Sequence, residues 1–456
     1  MAIPDGIQTS AAWRGPSQLV LKYLLRISVC YRKRFLYMRV RDTNGHFCNF
    51  LICLNPLSSS ITLHVDLLRS RGYLTIPMKN DSPDSRPHRM AAVDRRRFLQ
   101  SAVGASLALA ETGRAQTRHA IAPNALIRVG LIGSEGHRDI LLRSIPKLAN
   151  VQWTAYAKGE PDEDSAWVQT AFSGSSRPRV YENYHDMLEK EQLDVVGICL
   201  PFFENAEASI QAARKGIHVL SEKPAATNLA DLTSLEREVH RSGVLYSIML
   251  EMRAMPIFLA ARKAVQQGAI GEPILLSSQK SYKFGSNRPW FYKERKTYGG
   301  TIPWVGIHAL DYMRWVSGQE YARVAAFEGN KSHPQTPGCE DHAGLLFHLA
   351  NGGTATCHLD FLRPESAPTH GDDRLRIAGS EGVLEATEID NRVNLISAKG
   401  MVEELPLPQP VNFFGTFIAC LRGEGELLVS TKDAFAITRI CLRARDAADA
   451  GTWVKL

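Results

Sequence analysis

Gly216-Ile217-His218-Val219-Leu220-Ser221-Glu222-Lys223-Pro224 is the stretch that decides the fold. His218 to Leu220 is a short apolar run of the kind that forms a buried parallel strand. The run ends in an acid, a lysine and a proline, and a helix opens just beyond, near Asn228 and Asp231. Open parallel sheets bind ligands beyond the carboxyl ends of their strands. Lys223, followed by a residue that stiffens the turn, is therefore well placed to meet a cofactor or a substrate oxygen.

Working outward, the same alternation of strand and helix recurs on both sides. Ile127 to Gly133 reads as the first strand, and Ser134-Glu135-Gly136-His137 leads into a helix ending near Ala149. Val151 to Ala157 is the second strand, Tyr184 to Lys190 a helix, and Asp194 to Leu200 a buried strand. Pro201 to Asn205 is a crossing loop, followed by a helix over Ala206 to Lys215. After Pro224 come a helix from Leu229 to Arg241, a strand from Val244 to Leu250 and a helix from Pro256 to Gln267. This spacing predicts an α/β doubly wound parallel sheet, a Rossmann unit. Its glycine fingerprint is incomplete: Gly133 and Gly136 are present, but Glu135 and Arg138 stand where the second and third glycines would be. The second strand ends in Lys158 rather than in the acid that serves NAD, and a cation there suits the 2′-phosphate of NADP.

Past Gly268-Ala269-Ile270-Gly271-Glu272 the strands lengthen and alternate, as in Ile274 to Tyr282, Gly344 to Leu349 and Thr354 to Phe361. Shorter strand candidates follow to Ala398, and two helices close the chain, near Phe413 to Leu421 and Lys432 to Ala450. The second half is predicted to be an α+β domain on a large, mostly antiparallel sheet. The expected organisation is 126–250 for the Rossmann domain and 251–456 for a substrate and oligomerisation domain.

The 456 residues carry a net charge of +7, unevenly spread. Residues 1–89 hold 13 Lys and Arg against 5 Asp and Glu, which leaves 41 against 42 for the rest. A near-neutral folded part gives no reason to expect a nucleic-acid partner. Of 8 cysteines, five follow residue 90, none in CxxC spacing. They read as buried thiols, and no metal site is expected. Gln18 to Val40 is broken by Lys22, Arg26 and Arg32-Lys33-Arg34, so it is no membrane span. Arg95-Arg96-Arg97-Phe98-Leu99, with the weakly apolar run to Ala110, resembles a twin-arginine export signal. Such signals sit at a true start, so Met90 is the expected beginning, 90–125 signal and linker, and 1–89 an upstream extension. A periplasmic location follows.

Taken together, several segments resemble the Gfo/Idh/MocA oxidoreductases, named for glucose–fructose oxidoreductase and inositol dehydrogenase. They are Val129-Gly130-Leu131-Ile132-Gly133, the Glu222-Lys223-Pro224 stretch, Arg253 before Pro256, Gly299-Gly300 leading to Gly306-Ile307-His308-Ala309-Leu310-Asp311, and Gly379-Ser380-Glu381-Gly382. The resemblance spans about Ile127 to Leu456. It implies a Rossmann domain holding NAD or NADP, and a second domain whose open sheet supports a homo-oligomer, dimer or tetramer. It also implies that the lysine lies near the nicotinamide and that a histidine of the second domain acts as acid/base. That histidine usually has an aspartate four residues earlier; here the position is Trp304.

The resulting expectations are specific. Lys223 and His308 are the catalytic pair: a lysine can steady a developing alkoxide, and a histidine can pass the accompanying proton. Gly130, Gly133, Gly136, Lys158, Pro201 and Glu222 are placed with the cofactor. Arg253, Tyr282, Trp304 and Asp311 are placed with the substrate, and Trp304, His308 and Asp311 share one face of a helix over 301–315. The function expected is hydride transfer between a sugar or polyol carbinol and nicotinamide. Two alternatives stay open: a glycoside hydrolase or lyase working by transient oxidation on bound NAD, and a non-catalytic sugar-binding protein on the same scaffold. Turnover without net NADH change would mark the first, and absence of any bound nucleotide the second.

Overall fold

The computed structural model describes residues 121–171, 177–286, 288–398, 400 and 402–456, and the backbone of four strands between 35 and 77. Those four, β1 (Phe35–Arg41), β2 (Phe47–Leu54), β3 (Ser60–Leu67) and β4 (Ser70–Pro77), pair antiparallel in the order 1-2-3-4 and belong to a unit of their own. The sequence reading assigned no element there. Residues 90–120, which carry the export pattern, lie outside the described residues.

The Rossmann sheet contains β5 (Ile127–Ile132), β6 (Val151–Ala157), β7 (Arg179–Tyr181), β8 (Val195–Ile198), β9 (His218–Ser221) and β10 (Tyr246–Ile248). All pairs are parallel, in the order β10-β9-β8-β5-β6-β7. Every residue of β8 and β9 is buried, as a strand covered on both faces requires. The helix after β9 runs Leu229–Ser242. Asn228 caps it by accepting from the Asp231 N–H, and Gly243 closes it at φ 71°. A cap of this kind contributes about 1 kcal/mol. The expected helix ending near Ala149 is shorter: one turn over Asp139–Leu142, then a 3₁₀ turn over Ile145–Lys147 containing Pro146. Pro146 cannot donate to a continuing helix.

The second sheet has nine strands: β11 (Pro273–Lys283), β12 (Tyr321–Gly329), β13 (His342–Leu349), β14 (Thr354–Arg363), β15 (Gly371–Gly379), β16 (Gly382–Thr387), β17 (Arg392–Ser397), β18 (Val402–Glu404) and β19 (Val454–Lys455). Their order is β18-β17-β16-β15-β11-β14-β13-β12-β19. Only β11 with β14 is parallel, so the mostly antiparallel expectation holds. The crossover between those two strands carries the helix Ile307–Ser317, which lies on the sheet with Tyr312 donating to Gln279 O of β11 at 2.8 Å. The long helix Thr431–Ala450 and the helix Pro256–Gln266 pack beside it. A crossover buried from all sides is a rigid place from which to present a side chain. The five described cysteines are free thiols, four of them buried. Among the described residues no helix is long and apolar enough to cross a membrane.

Candidate active site

The strand β9 delivers Glu222 and Lys223 at its carboxyl end, both almost completely buried. Lys223 Nζ lies 3.5 Å from Glu222 Oε1 and 3.3 Å from Trp304 O, and 2.7 Å from the centroid of the Trp304 ring. Burial lowers the Lys223 ammonium to about 7, although Glu222 and Glu251 pull the other way. His308, on the crossover helix, is 2% exposed, and its Nδ1 has no hydrogen-bond partner. Burial, reinforced by Lys223, Lys280 and His137, holds its pKa well below 6.5. The imidazole is therefore neutral, with a nitrogen free to meet a ligand.

His137, from the loop after β5, joins this cluster. Its Nδ1 is 2.8 Å from Glu222 Oε1, its Nε2 is 3.1 Å from Glu251 Oε1, and its ring centroid is 5.7 Å from that of His308. Burial opposes its charge, yet the two carboxylates win and raise it to about 10. Its N–H also donates to Glu222 Oε2 at 3.1 Å. Gly136 makes this possible: at φ +66° a Cβ would stand 2.6 Å from Glu222 Cδ. On the other side, Lys280 of β11 is fully buried and donates to both oxygens of Asp373, at 2.9 and 2.7 Å. That pair holds Lys280 charged despite burial. The Lys280 ammonium sits 4.5 Å from the Tyr282 ring, so Tyr282 does border the cluster.

The cofactor cleft opens where β5, β6 and β8 end. A cavity of about 200 Å³ is lined by Ser134, Glu135, Gly159, Glu160, Asp162, Glu163, Cys199 and Pro201. Gly133, at φ +71°, lets the turn pass under Cys199, whose carbonyl a Cβ would strike. Glu163 accepts from Tyr156 Oη and Gly159 N, each at 2.6 Å, and from Ser134 Oγ. Acids in this position suit the ribose hydroxyls of NAD and oppose a 2′-phosphate. The residues present thus fit NAD, which Ser134, Pro201 and the acidic wall would hold.

Four expectations need correction. Gly130 does not face the cofactor: a Cβ there would sit 2.7 Å from Leu193 Cδ1 and 3.2 Å from Met187 Cε, so it serves packing against the helix Tyr184–Lys190. Lys158 is engaged by Glu182 at 2.8 Å, and the nearby cavity is walled by carboxylates, which favours NAD over NADP. Arg253 and Asp311 hold each other, at 2.8 and 2.6 Å, and are about 1% exposed, so they form a buried clamp with no donor left for substrate. Trp304 has no free face: Phe202 stacks on it at 3.8 Å and Lys223 covers the other side. Sequence reading missed His137, Glu251, Asp373 and Glu163, and placed Lys280 only within the cation- and aromatic-rich segment 280–296 facing the cleft. Only the departure from glycine spacing after Gly133 signalled the first.

Comparison with known proteins agrees with this architecture. Residues 127–250 match the model of an oxidoreductase family with an NAD-binding Rossmann fold, and residues 258–385 match the GFO/IDH/MocA C-terminal domain. A solved chain from Thermotoga maritima, described as an oxidoreductase, is 38% identical; the match covers 72% of this chain and 100% of that one, with a TM-score of 0.68. D-apiose dehydrogenase of Paraburkholderia graminis is 26% identical over 60% of this chain and 75% of its own. The scyllo-inositol 2-dehydrogenase (NAD(+)) of Bacillus subtilis is 25% identical, covering 48% of this chain and 63% of that relative, a little under two thirds of its length. With both characteristic domains present in order, the chain belongs to the Gfo/Idh/MocA oxidoreductases.

Proposed function

We propose that this chain oxidises a secondary alcohol of a sugar or polyol with NAD. The observation that carries the reading is a pair of buried, interacting nitrogens at the end of β9: the Lys223 amine, 3.5 Å from Glu222, and the unpartnered Nδ1 of His308. NAD, held along Ser134, Pro201 and the acidic wall, would supply the hydride acceptor. Lys223 and His308 would flank the substrate oxygen, where two such nitrogens can donate to a developing alkoxide and one of them can take up the hydroxyl proton. The dry surroundings strengthen these interactions. The sugar or polyol class is supported by the relatives that act on apiose and inositol.

The test is direct. Purified protein is denatured, released nucleotide is identified by mass, and NADH formation is followed across a panel of aldoses and polyols. NAD binding with NADH formation on at least one polyol is expected. NAD turnover that needs no hydroxyl substrate, or no nucleotide binding at all, would sink the reading.

Two further parts of the reading concern the setting. The Arg95-Arg96-Arg97-Phe98-Leu99 pattern supports export to the periplasm by the twin-arginine route; cell fractionation with an Arg95/Arg96 lysine variant checks it. The exposed Phe327, Leu346 and Leu362 on the nine-stranded sheet support self-association through that sheet. Sedimentation should show a dimer or tetramer, and a Phe327→Lys variant a smaller species.

A further inference from the structure

The ring of Trp304 has a task that the hydride-transfer reading leaves unassigned. Ile302–Gly306 forms a π-helical turn, a feature that widens a helix locally and recurs at functional sites. There the Trp304 carbonyl accepts from Lys223 Nζ at 3.3 Å, while the same nitrogen stands 2.7 Å from the centroid of its indole. One residue thus grips the amine with two different groups. The indole cannot swing away, because Phe202 is stacked on its far face at 3.8 Å. Phe202 is in turn wedged edge-on by Phe291 and Tyr292, at 4.9 and 5.5 Å.

The charged groups around Lys223 are few and largely committed elsewhere. Glu222 spends both oxygens on the His137 ring, at 2.8 and 2.9 Å, and stands 3.5 Å from the amine. Glu251 turns Oε1 to His137 Nε2, keeps a buried Oε2 without a partner, and favours the charged form of Lys223 less than Glu222 does. Lys280, from β11, is neutralised by Asp373, and His308 faces the amine uncharged. Among the described residues Glu222 is the carboxylate paired with Lys223, and it is shared with His137.

We propose that Trp304 is a positioning residue that clamps the Lys223 amine between indole face and carbonyl, so that Lys223 serves as the proton acceptor in alcohol oxidation. This deepens the hydride-transfer reading and rests on it. A π face attracts an ammonium less than a carboxylate does at the same distance. Burial, helped by Lys280, pushes the amine down to about 7 against the pull of Glu222 and Glu251. In oxidation the substrate O–H bond breaks and its proton bonds to the neutral Lys223 Nζ. Bound NAD would supply the two-electron oxidant, accepting the C–H electron pair as hydride as the C=O bond forms. The reverse direction uses the ammonium as donor. His308 contributes its uncharged nitrogen as a hydrogen-bond partner and keeps its charge state throughout.

The experiment has an arm that is independent of activity. Protein labelled with ¹³C at lysine Cε is titrated by NMR, the Lys223 signal being assigned by its loss in Lys223→Met. A midpoint near 7 is expected in the unaltered protein; one in the ordinary lysine range, about 10, overturns the proposal without any variant. Trp304→Asp should move the midpoint above about 9, as an adjacent opposite charge does. Trp304→Phe, which keeps a ring face, should leave it near 7. With a polyol substrate, the Asp variant should lose about 50-fold in kcat at pH 7, the fall in neutral amine from half to about one per cent. It should recover above pH 9, with KM changed less than kcat. An unshifted pH profile in Trp304→Asp overturns the proposal. Absence of turnover in all forms, with the NMR midpoints as expected, overturns the dehydrogenase reading instead.

Discussion

Replacing Arg253 by methionine separates a structural clamp from a substrate contact. The guanidinium donates to Asp311 at 2.8 and 2.6 Å, to Leu428 O at 2.8 Å and to Asp433 at 3.1 Å. It thereby ties the end of the Rossmann domain to the His308 helix and to the start of the long C-terminal helix. Asp433 keeps a second partner in Arg314, at 2.8 Å. Asp311 does not have one among its described contacts, so the substitution strands a single carboxylate that is 1% exposed. Removing one partner of a buried ion pair costs about 3–5 kcal/mol. At an m-value of about 5 kcal/mol per molar, the guanidinium chloride midpoint should fall by roughly 0.6–1 M. The double variant Arg253→Met with Asp311→Leu should regain part of this, because no charge is left behind. Methionine fills much of the volume, so turnover per folded molecule should stay within about threefold. A midpoint that stays put while KM for the polyol climbs would refute the clamp and restore Arg253 to the substrate.

Other outcomes follow from the same geometry. His137 is raised from 6.5 to about 10, so its pairing contributes stability that is complete below about pH 6.5 and disappears as pH rises through 10. Glu251, lowered from 4.5 to about 2 by the same partner after overcoming its own burial, loses that stability as pH falls from 4.5 toward 2. The melting temperature should therefore decline from pH 7 to 10, and His137→Gln should flatten that slope; parallel slopes would contradict the assignment. Gly136→Ala, whose Cβ meets Glu222 at 2.6 Å, should weaken NAD binding at least tenfold, about 1.4 kcal/mol by titration calorimetry. Gly130→Ala should instead lower stability by about 1–3 kcal/mol through overpacking against Leu193 and leave NAD affinity unchanged. Lys158→Ala removes a pair with the exposed Glu182, worth about 0–1 kcal/mol, so NAD affinity should move by less than about threefold. A loss of NADP affinity tenfold or greater in that variant would show that the cation does read a 2′-phosphate.

The fold was legible because its signals are local. Val195–Ile198 and His218–Ser221 are continuous apolar runs, and Asn228 and Gly243 punctuate the helix between strands. Phe413–Leu421 was read to the residue, since Asn412 caps it and its apolar face is unbroken. The site was legible only in part. Lys223 stood out at the carboxyl end of a strand, and His308 through the resemblance of its segment to a known family. Their environment did not, because it is assembled from partners far apart in the chain. His137 reaches Glu222 across 85 residues, Arg253 reaches Asp311 across 58, and Lys280 reaches Asp373 across 93. A residue's type says what it can bond to, and only packing says which partner it finds. Arg253 and Asp311 look like ligand-binding residues one at a time; facing each other, they cancel.

The placement of β11 has a consequence during synthesis. This strand sits between β14 and β15, both of which come later in the chain, and its Lys280 finds Asp373 only 93 residues downstream. At about 5–20 residues per second, a ribosome takes roughly 5–19 s to deliver that aspartate. Until β14 and then β15 have been made, the edges of β11 lack their native partners, with Ile274, Leu275 and Leu276 at one end. Charges such as those of Lys280 and Lys283 would disfavour pairing of such a strand between nascent chains. The ammonium that ends up fully buried in the finished enzyme would thus also protect the strand before its neighbours exist.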